Sequence, residues 1–360
     1  MYDVAVVGGG PAGATLGRIL AARGCATVVL EAARLPRYKP CGGGLTTRAL
    51  RVLPAEALPM VRLRCTGACA VWAGRQLRVH SRRAVVAMVM RDEFDACLLS
   101  LARAAGAEVR DACPVTAVQT LPDGVALVAG GERVRARYLA CADGASGPFA
   151  GPLGRAVGLG GPPPRIGALE VEVEDPQRSW GNELRGDFDL VPGGYGWVFP
   201  KDGVLSIGVA SWRPGIGGRV LSAALERYLS RLGLTARPVL ARHGHPIPVG
   251  GRVPVAQLIG PRALRLGDAA GLADPLFGEG IAHAMESAAL AADALLAGDI
   301  AAYGRAVANR LYPGFAVADR LARLFYPHPA PWFALLGMLP ALGEKAYHAA
   351  LGGVLHAPAL

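Results

Sequence analysis

The chain has 360 residues, a formal net charge of +10 and 52% hydrophobic residues, so it can bury a large core and is expected to form two interleaved domains. The positive charge favours an anionic partner, but it comes almost entirely from arginine, with no basic stripe interleaved with aromatic residues. Nucleic acid is therefore not an expected partner. No basic leader precedes the first strand pattern and no stretch of about 18 apolar residues occurs, so neither secretion nor a membrane span is expected.

Seven cysteines are scattered without the paired spacing of zinc sites, which indicates a reducing cytoplasm rather than a disulfide framework. Most are expected to be small buried residues. His243 and His245 form the one close histidine pair of the sequence. Without further ligands nearby, we expect no metal site there.

A nucleotide-binding fingerprint opens the chain. Residues 3–8 predict an apolar strand, Gly8, Gly10 and Gly13 follow with G-x-G-x-x-G spacing, and residues 14–23 predict a helix. In this order Gly8 permits a tight turn, Gly10 lets backbone approach a pyrophosphate, and Gly13 lets the helix pack on the strand. Phosphate would then lie at the positive helix N-terminus.

A second strand pattern, residues 26–30, ends in Glu31. An acidic residue about 20 positions after the fingerprint is expected to hydrogen-bond an adenosine ribose. A purely structural glycine turn is the alternative interpretation of the fingerprint.

Residues 39–44 read Lys-Pro-Cys-Gly-Gly-Gly. Three consecutive glycines, Gly42, Gly43 and Gly44, have no side chains, so the backbone here could approach a flat ligand closely. Cys41 is the one reactive group of this segment. A flexible surface loop with a chance cysteine is the alternative.

Two later strand-to-turn segments place Asp143 and Asp268 beside glycines. Both segments resemble stretches of the flavoprotein hydroxylase superfamily, in which the Gly-Asp aspartate binds the ribitol chain of FAD. Ordinary strand-end turns are the alternative. Gly280 and Ile281 then precede a predicted helix over residues 282–296, whose N-terminal dipole would favour the anionic reduced flavin.

The middle of the chain predicts an antiparallel sheet that covers the flavin. Residues 166–174 alternate between valine or leucine and glutamate, which predicts a half-exposed strand. Residues 188–191, 195–199 and 204–211 predict further strands, the last two joined by a tight turn at residues 201–203. Alternation places Tyr195, Trp197 and Phe199 on one face, as an apolar wall suited to a hydrocarbon or as a core stripe.

Residues 192–200 carry a P-x-x-Y-x-W-x-F-P pattern. With the cysteine-glycine loop it resembles the geranylgeranyl reductase family of FAD enzymes, and the similarity continues at residues 91–98, 267–268 and 278–281. The resemblance spans about residues 2–290. Halogenases, which share the fold, carry W-x-W-x-I-P at the corresponding strand, so that branch is disfavoured.

The resemblance implies an FAD site and a prenyl site. The implied FAD contacts are Ala12, Glu31, Gly42, Gly44, Arg91, Val115, Asp268, Gly280 and Ile281, beside Gly8, Gly10, Gly13, Gly43 and Asp143 from the patterns above. Tyr195, Trp197 and Phe199 would line the prenyl site. Cys41 could relay a proton, tune the flavin or sense redox state, with a structural thiol as the alternative. Arg82 and Arg83, in an arginine-rich block over residues 62–91, would receive a diphosphate or face acidic lipid headgroups, and compositional bias is the other explanation.

The predicted fold class is α/β, with a Rossmann-type FAD-binding domain interleaved with an antiparallel-sheet substrate domain. The expected bounds are residues 1–60, 91–160 and 255–300 for the FAD domain, 61–90 and 161–254 for the substrate domain, and 301–360 for a helical C-terminal segment. That segment either caps the substrate domain or dips into a membrane interface.

The expected function is an FAD-dependent reductase that saturates C=C bonds of a polyprenyl group, which a prenyl diphosphate, lipid, chlorophyll or quinone tail could carry. NAD(P)H or reduced ferredoxin is the expected transient donor, because no second nucleotide fingerprint occurs. The expected location is cytoplasmic, either free or peripheral at the inner face of the membrane. The alternatives are an FAD monooxygenase or halogenase acting on an apolar substrate, and a non-catalytic polyprenyl or flavin carrier. The sequence makes no prediction of oligomeric state.

Overall fold

The structure is a computed structural model that describes residues 1–82, 84–339 and 345. Its strands are β1 (Tyr2–Val7), β2 (Thr27–Leu30), β3 (Gly44–Thr46), β4 (Val61–Cys65), β5 (Gly67–Trp72), β6 (Arg75–His80), β7 (Val86–Val89), β8 (Glu108–Arg110), β9 (Val115–Leu121), β10 (Gly124–Ala129), β11 (Glu132–Cys141), β12 (Arg165–Glu174), β13 (Glu183–Asp187), β14 (Gly194–Pro200), β15 (Val204–Ser211), β16 (Val239–Pro248) and β17 (Ala263–Arg265). Its α-helices are α1 (Pro11–Ala22), α2 (Thr47–Val52), α3 (Arg91–Ala104), α4 (Pro152–Ala156), α5 (Gly218–Arg231), α6 (Ile281–Leu296), α7 (Ile300–Arg310), α8 (Tyr312–Phe325) and α9 (Pro329–Met338).

The first sheet has the order β8-β2-β1-β11-β10-β9, with β17 also paired to β11. The strands β8, β2, β1, β11 and β17 are parallel, whereas β9, β10 and β11 form an antiparallel meander. Helices α1, α3 and α6 pack together on this sheet around one large apolar cluster. The predicted Rossmann-type strand, glycine turn and helix are confirmed at β1 and α1.

The second sheet has the order β16-β12-β15-β14-β13-β5-β6, and all neighbours are antiparallel except β5 and β13. One of its faces packs on α5 through Val171, Ile207, Val209 and Tyr228. Because side chains alternate along a strand, the strand residues between these valines and isoleucine point to the opposite face of the sheet. A small third sheet, β3-β7-β4, follows the cysteine-glycine loop.

The tight turn between β14 and β15 lies where it was predicted. Asp202 and Gly203 both have positive φ, of 54° and 86°, as a type I′ hairpin turn requires.

The prediction of a strand over residues 188–191 is wrong. The strand before β14 is Glu183–Asp187, and residues 188–193 form turns. Arg185 and Asp187 make this segment polar in sequence, but the two side chains bond each other at 2.6 and 2.9 Å, which compensates both charges within a strand. Gly193, at φ 65°, then turns the chain into β14.

Helices α7, α8 and α9 occupy residues 300–338. The remainder of the predicted helical segment, residues 340–344 and 346–360, lies outside the described residues. None of the described helices combines the length and apolar character that a membrane crossing needs. The expected domain bounds stay a prediction.

Candidate active site

A cavity of about 1310 Å³ is lined by residues from both large sheets. It brings together most of the site residues predicted from sequence, namely Gly8, Gly10, Ala12, Glu31, Cys41, Gly42, Gly43, Gly44, Arg91, Val115, Asp143, Tyr195, Trp197, Phe199, Asp268, Gly280 and Ile281. Gly13 and Arg82 are not part of this lining, and Arg83 lies outside the described residues.

The glycine turn after β1 forms an open cradle. A Cβ on Gly13 would lie 1.9 Å from the Gly8 carbonyl oxygen, so this glycine serves the packing of α1 on the strand. A Cβ on Gly10 would find its nearest neighbour, an Arg37 nitrogen, only at 3.8 Å. Since no side chain caps the start of α1, its first amides are free to bind a phosphate.

Glu31 is buried where β2 ends at the cavity. Its carboxylate accepts hydrogen bonds from the amides of Gly9 at 2.8 Å and Ala33 at 3.0 Å, and Arg37 lies 3.2 Å away. These contacts fix the carboxylate in one orientation at the cavity wall. That placement suits recognition of a ribose hydroxyl.

Arg91 starts α3 and holds the cysteine loop against it. Its guanidinium donates two 2.8 Å hydrogen bonds to Asp95, and the Cys41 thiol lies beside it. Burial disfavours the charged guanidinium, but Asp95 and Cys41 outweigh that cost and raise the pKa of Arg91. The charge is therefore permanent.

Asp143 and the start of α6 leave unused polar groups at the cavity. One oxygen of Asp143 accepts the Phe149 amide at 2.8 Å, whereas its buried Oδ1 has no hydrogen-bond partner among the described residues. Burial raises the pKa of Asp143 to about 6. Helix α6 begins after Gly280, where a Cβ would lie 3.2 Å from Asp268 Oδ1. The Glu279 carboxylate accepts the Ala282 amide of its first turn at 2.8 Å, which leaves the amides of Gly280 and Ile281 to face a ligand. Together with the glycine cradle, these groups fit FAD.

The cysteine-glycine loop meets the second sheet directly. A Cβ on Gly42 would lie 2.6 Å from Phe199 Cδ2, so only glycine allows this approach. Lys201 donates to the Cys41 carbonyl oxygen at 2.8 Å, and the Gly43 amide points to the Cys41 sulfur at 3.4 Å. The loop is thus clamped between α3 and the turn that follows β14.

Tyr195, Trp197 and Phe199 form a continuous aromatic wall, with adjacent ring centroids 6.0 and 6.2 Å apart. Tyr195 donates its hydroxyl to the Phe277 carbonyl at 2.9 Å, and Trp197 donates to the Ser206 hydroxyl at 3.2 Å. Because both polar atoms are occupied, the wall faces the cavity with apolar ring surface.

Helices α8 and α9 extend this wall, which the sequence interpretation missed. Phe188 packs edge-to-face on Phe325 of α8 at 4.9 Å and on Phe333 of α9 at 6.2 Å. Leu321, Trp332 and Leu336 complete this end of the cavity. The apolar character of the C-terminal segment was visible in the sequence, but its place against β14 was not.

The half-exposed strand predicted over residues 166–174 is antiparallel, as expected, but its glutamate face is not in solvent. Glu170 and Glu172 are both only 5% exposed. Glu172 pairs with the buried Lys201 at 2.7 Å, and Glu170 lines the cavity. Alternating glutamates indicated a polar face correctly, but could not show that a second domain covers it.

Lys39 and His245 form a further pair that sequence reasoning missed. The ammonium of Lys39 lies 2.5 Å from His245 Nε2. Burial, together with the charges of Lys39 and Arg91, lowers the pKa of His245 to about 3. His245 is therefore a neutral acceptor for Lys39. His243 instead packs on the Tyr38 ring at 4.7 Å.

Arg82 is exposed outside the cavity lining. Two arginines of the second sheet do line the cavity: Arg78, which pairs with Glu183, and Arg185. A role of Arg82 and Arg83 in substrate binding stays a prediction.

Comparison with known families places this site in context. Residues 1–188 match the family model described as FAD binding domain. The chain is 32% identical to menaquinone reductase of Mycolicibacterium smegmatis, over 89% of this chain and 84% of that protein. It is 31% identical to a chloroplastic geranylgeranyl diphosphate reductase of Oryza sativa (90% and 75% covered) and 32% identical to a digeranylgeranylglycerophospholipid reductase of Thermoplasma volcanium (81% and 77% covered).

Among solved structures, a geranylgeranyl bacteriochlorophyll reductase-like protein of Thermoplasma acidophilum superposes with a TM-score of 0.77 at 27% identity, covering 89% of this chain and 87% of that one. A flavin-dependent brominase superposes with a TM-score of 0.75 over 99% and 94% of the two chains, but at 20% identity it shares the fold alone. The reductases, by contrast, match in sequence along most of the chain. The chain therefore belongs to the geranylgeranyl reductase family of FAD-dependent oxidoreductases.

Proposed function

We propose that this enzyme saturates C=C bonds in a polyprenyl group carried by a prenyl diphosphate, a lipid, a chlorophyll or a quinone. The observation that carries this proposal is the aromatic wall of Tyr195, Trp197 and Phe199, which lines the same cavity as the glycine cradle and the cysteine loop. A polyprenyl chain is apolar, and a large cavity with an aromatic wall offers it apolar surface from several side chains.

Bound FAD, once reduced, supplies hydride. The chain's own residues bind and orient the two partners. The cradle after β1, Glu31, Arg91 and the amides before α6 hold the cofactor. The wall holds the alkene and keeps water away, because its two polar side-chain atoms are already hydrogen-bonded. An unactivated alkene develops positive charge as it takes up a proton, and ring faces stabilise such charge.

We propose NAD(P)H or reduced ferredoxin as a transient electron donor. Tyr38 and His243 line the cavity and are also exposed to solvent. A donor can approach the cavity there, so the enzyme needs no separate domain to bind it. Anaerobic mixing of the oxidised enzyme with each donor, followed by flavin absorbance, distinguishes the two.

We also propose that α8 and α9 contact a lipid surface, from which the substrate enters. Leu324, Leu335 and Met338 are 59%, 40% and 72% exposed on the same helices whose other side chains line the cavity. Vesicle co-sedimentation tests this contact. A triple variant with glutamine at these positions should lose binding. The exposed Val220→Gln on α5, which packs on the other face of the second sheet, should retain it, and equal binding by both would contradict the proposal.

The reaction is tested by anaerobic turnover of the dithionite-reduced enzyme with a panel of the four substrate classes. Mass spectrometry should show products heavier by two hydrogens per reduced bond. Oxygen-dependent hydroxylation of an apolar substrate would instead establish the monooxygenase alternative.

A further inference from the structure

Glu170 lies on β12, on the cavity-facing side of the second sheet. On β15 its register partner is Gly208, and Gly208 in turn pairs with Trp197 on β14. A Cβ on Gly208 would lie 2.0 Å from Trp197 Cζ2, so the indole ring covers this glycine. The Glu170 carboxyl and the Trp197 ring are therefore neighbours on one face, across a residue that has no side chain.

The carboxyl of Glu170 is buried without a full set of partners. The residue is 5% exposed, and its Oε1 has no hydrogen-bond partner among the described residues. Lys201 already contacts Glu172 at 2.7 Å and the Cys41 carbonyl at 2.8 Å. Burial disfavours the charged carboxylate and raises the pKa of Glu170, helped by the charge of Glu172 and opposed by Lys201 and by hydrogen bonds from the Cys41 amide and the Ser206 hydroxyl. The neutral acid is therefore easier to form here than in a glutamate exposed to water.

The other titratable groups around Glu170 do not offer an equivalent proton. Glu172 is committed to Lys201, and His243 and Tyr38 pack on each other away from the aromatic wall. The Cys41 thiol lies against Arg91 and the Gly43 amide. Of the groups that surround it, Glu170 alone combines a free oxygen with a place beside Trp197.

We propose that Glu170, as the neutral acid, protonates the alkene. This inference rests on the proposed reductase function. In the step, the carboxyl O–H bond breaks and a C–H bond forms at one alkene carbon, while the neighbouring carbon takes the hydride that the reduced cofactor supplies. The alkene gains two electrons and the cofactor loses two. Glu170 is left as a carboxylate near Lys201, whose charge stabilises it, and solvent restores the proton between turnovers.

The test compares Glu170→Gln with the wild type and with Glu174→Gln, a control at the exposed end of the same strand. Anaerobic single turnover is followed by product mass, and oxidation of the reduced flavin by ferricyanide reports cofactor competence. We expect Glu170→Gln to lower alkene reduction by about 100-fold or more, the usual contribution of a general acid, with FAD content and ferricyanide oxidation unchanged. Glu170→Asp should be partly active.

A second measurement is independent of turnover. The infrared difference between the wild type and Glu170→Gln should show the carbonyl stretch of a protonated carboxylic acid above the ordinary pKa of glutamate, distinct from the bands of Asp143 and Glu279, whose pKa values burial raises to about 6 and about 7. This band should vanish in Glu170→Gln and remain in Glu174→Gln.

Two results would overturn the inference: alkene reduction by Glu170→Gln within about twofold of the wild type, or infrared spectra of the wild type and Glu170→Gln that do not differ in any carboxylic-acid band. If the wild type itself reduced no polyprenyl substrate, the proposed function would fail instead. The two failures are thus distinguishable.

Discussion

The indole ring of Trp197 lies directly over Gly208, on the neighbouring strand β15. Ser206, Gly208 and Ala210 alternate along the cavity-facing side of β15 and pair with Phe199, Trp197 and Tyr195, respectively. Each aromatic residue thus has a small residue beside it in the sheet. The aromatic wall depends as much on these small residues as on the rings themselves.

The first prediction concerns this packing. In Gly208→Ala the new methyl group would overlap the ring at 2.0 Å, so Trp197 must move and the wall is disrupted. We expect a loss of stability of about 1–3 kcal/mol and a higher KM for the polyprenyl substrate, with FAD still bound. Denaturant unfolding and steady-state kinetics measure both effects.

The matched control is Gly244→Ala, in the same sheet, where the nearest heavy atom to the new Cβ is the Ala168 carbonyl oxygen at 3.8 Å. Equal effects of the two substitutions would show that the position of the ring over Gly208 has no importance.

The second prediction concerns the buried pair of Lys201 and Glu172, whose side chains are 2% and 6% exposed. Lys201→Met leaves a buried carboxylate unpaired and should cost about 3–5 kcal/mol of unfolding free energy. Adding Glu172→Gln should recover part of that loss. The exposed pair of Arg305 and Asp299 provides the control, since solvent screens its charges and Arg305→Met should leave the unfolding free energy nearly unchanged. Additive effects of Lys201→Met and Glu172→Gln would contradict this account.

The third prediction concerns Cys41. Its thiol contacts Arg91 and the Gly43 amide, contacts that serine can largely reproduce. We therefore expect Cys41→Ser to bind FAD normally and to lose no more than about tenfold in turnover. Full turnover would remove any catalytic role for the thiol. A loss as large as that of Glu170→Gln would make Cys41, rather than Glu170, the proton donor.

The fourth prediction is a pH dependence of stability. The pKa of Asp143 is raised by burial from 3.8 to about 6, so folding favours the protonated form. The contribution of the Asp143 carboxyl group to the free energy of unfolding is present in full below pH 3.8 and is lost as the pH rises through about 6. The whole effect is about 3 kcal/mol.

Asp143→Asn should flatten this part of the stability profile, measured by urea unfolding at several pH values between the two pKa values. The exposed Asp123→Asn should leave the profile unchanged. Parallel profiles for the wild type and Asp143→Asn would show that Asp143 does not titrate in this range.

The sequence predicted the cofactor half of the site well, because its chemistry is local. Gly8, Gly10 and Glu31 act through one strand, one turn and one helix, whose order is visible along the chain. The cysteine loop and the alternation of Tyr195, Trp197 and Phe199 were visible for the same reason.

The substrate half depends on contacts between distant segments, which a single sequence does not show. Glu170 was expected at a half-exposed surface, since alternation reveals a polar face but not what covers it. Phe325 and Phe333 reach the wall only because α8 and α9 fold back onto the second sheet. Arg185 and Asp187 make their segment polar in sequence, and only the structure shows that the two side chains pair with each other within a strand.

The central claim is that one cavity brings a polyprenyl alkene to a reduced flavin without oxygen. The most direct measurement is anaerobic stopped-flow mixing of the dithionite-reduced enzyme, freed of excess reductant, with a geranylgeranyl substrate and, separately, with its fully saturated analogue. We predict that the absorbance of oxidised flavin returns with the unsaturated substrate alone, and that each equivalent of flavin oxidised yields one product heavier by two hydrogens. The mixing is repeated with each of the four substrate classes. If the flavin stayed reduced with all of them until oxygen was admitted, that result would contradict the account.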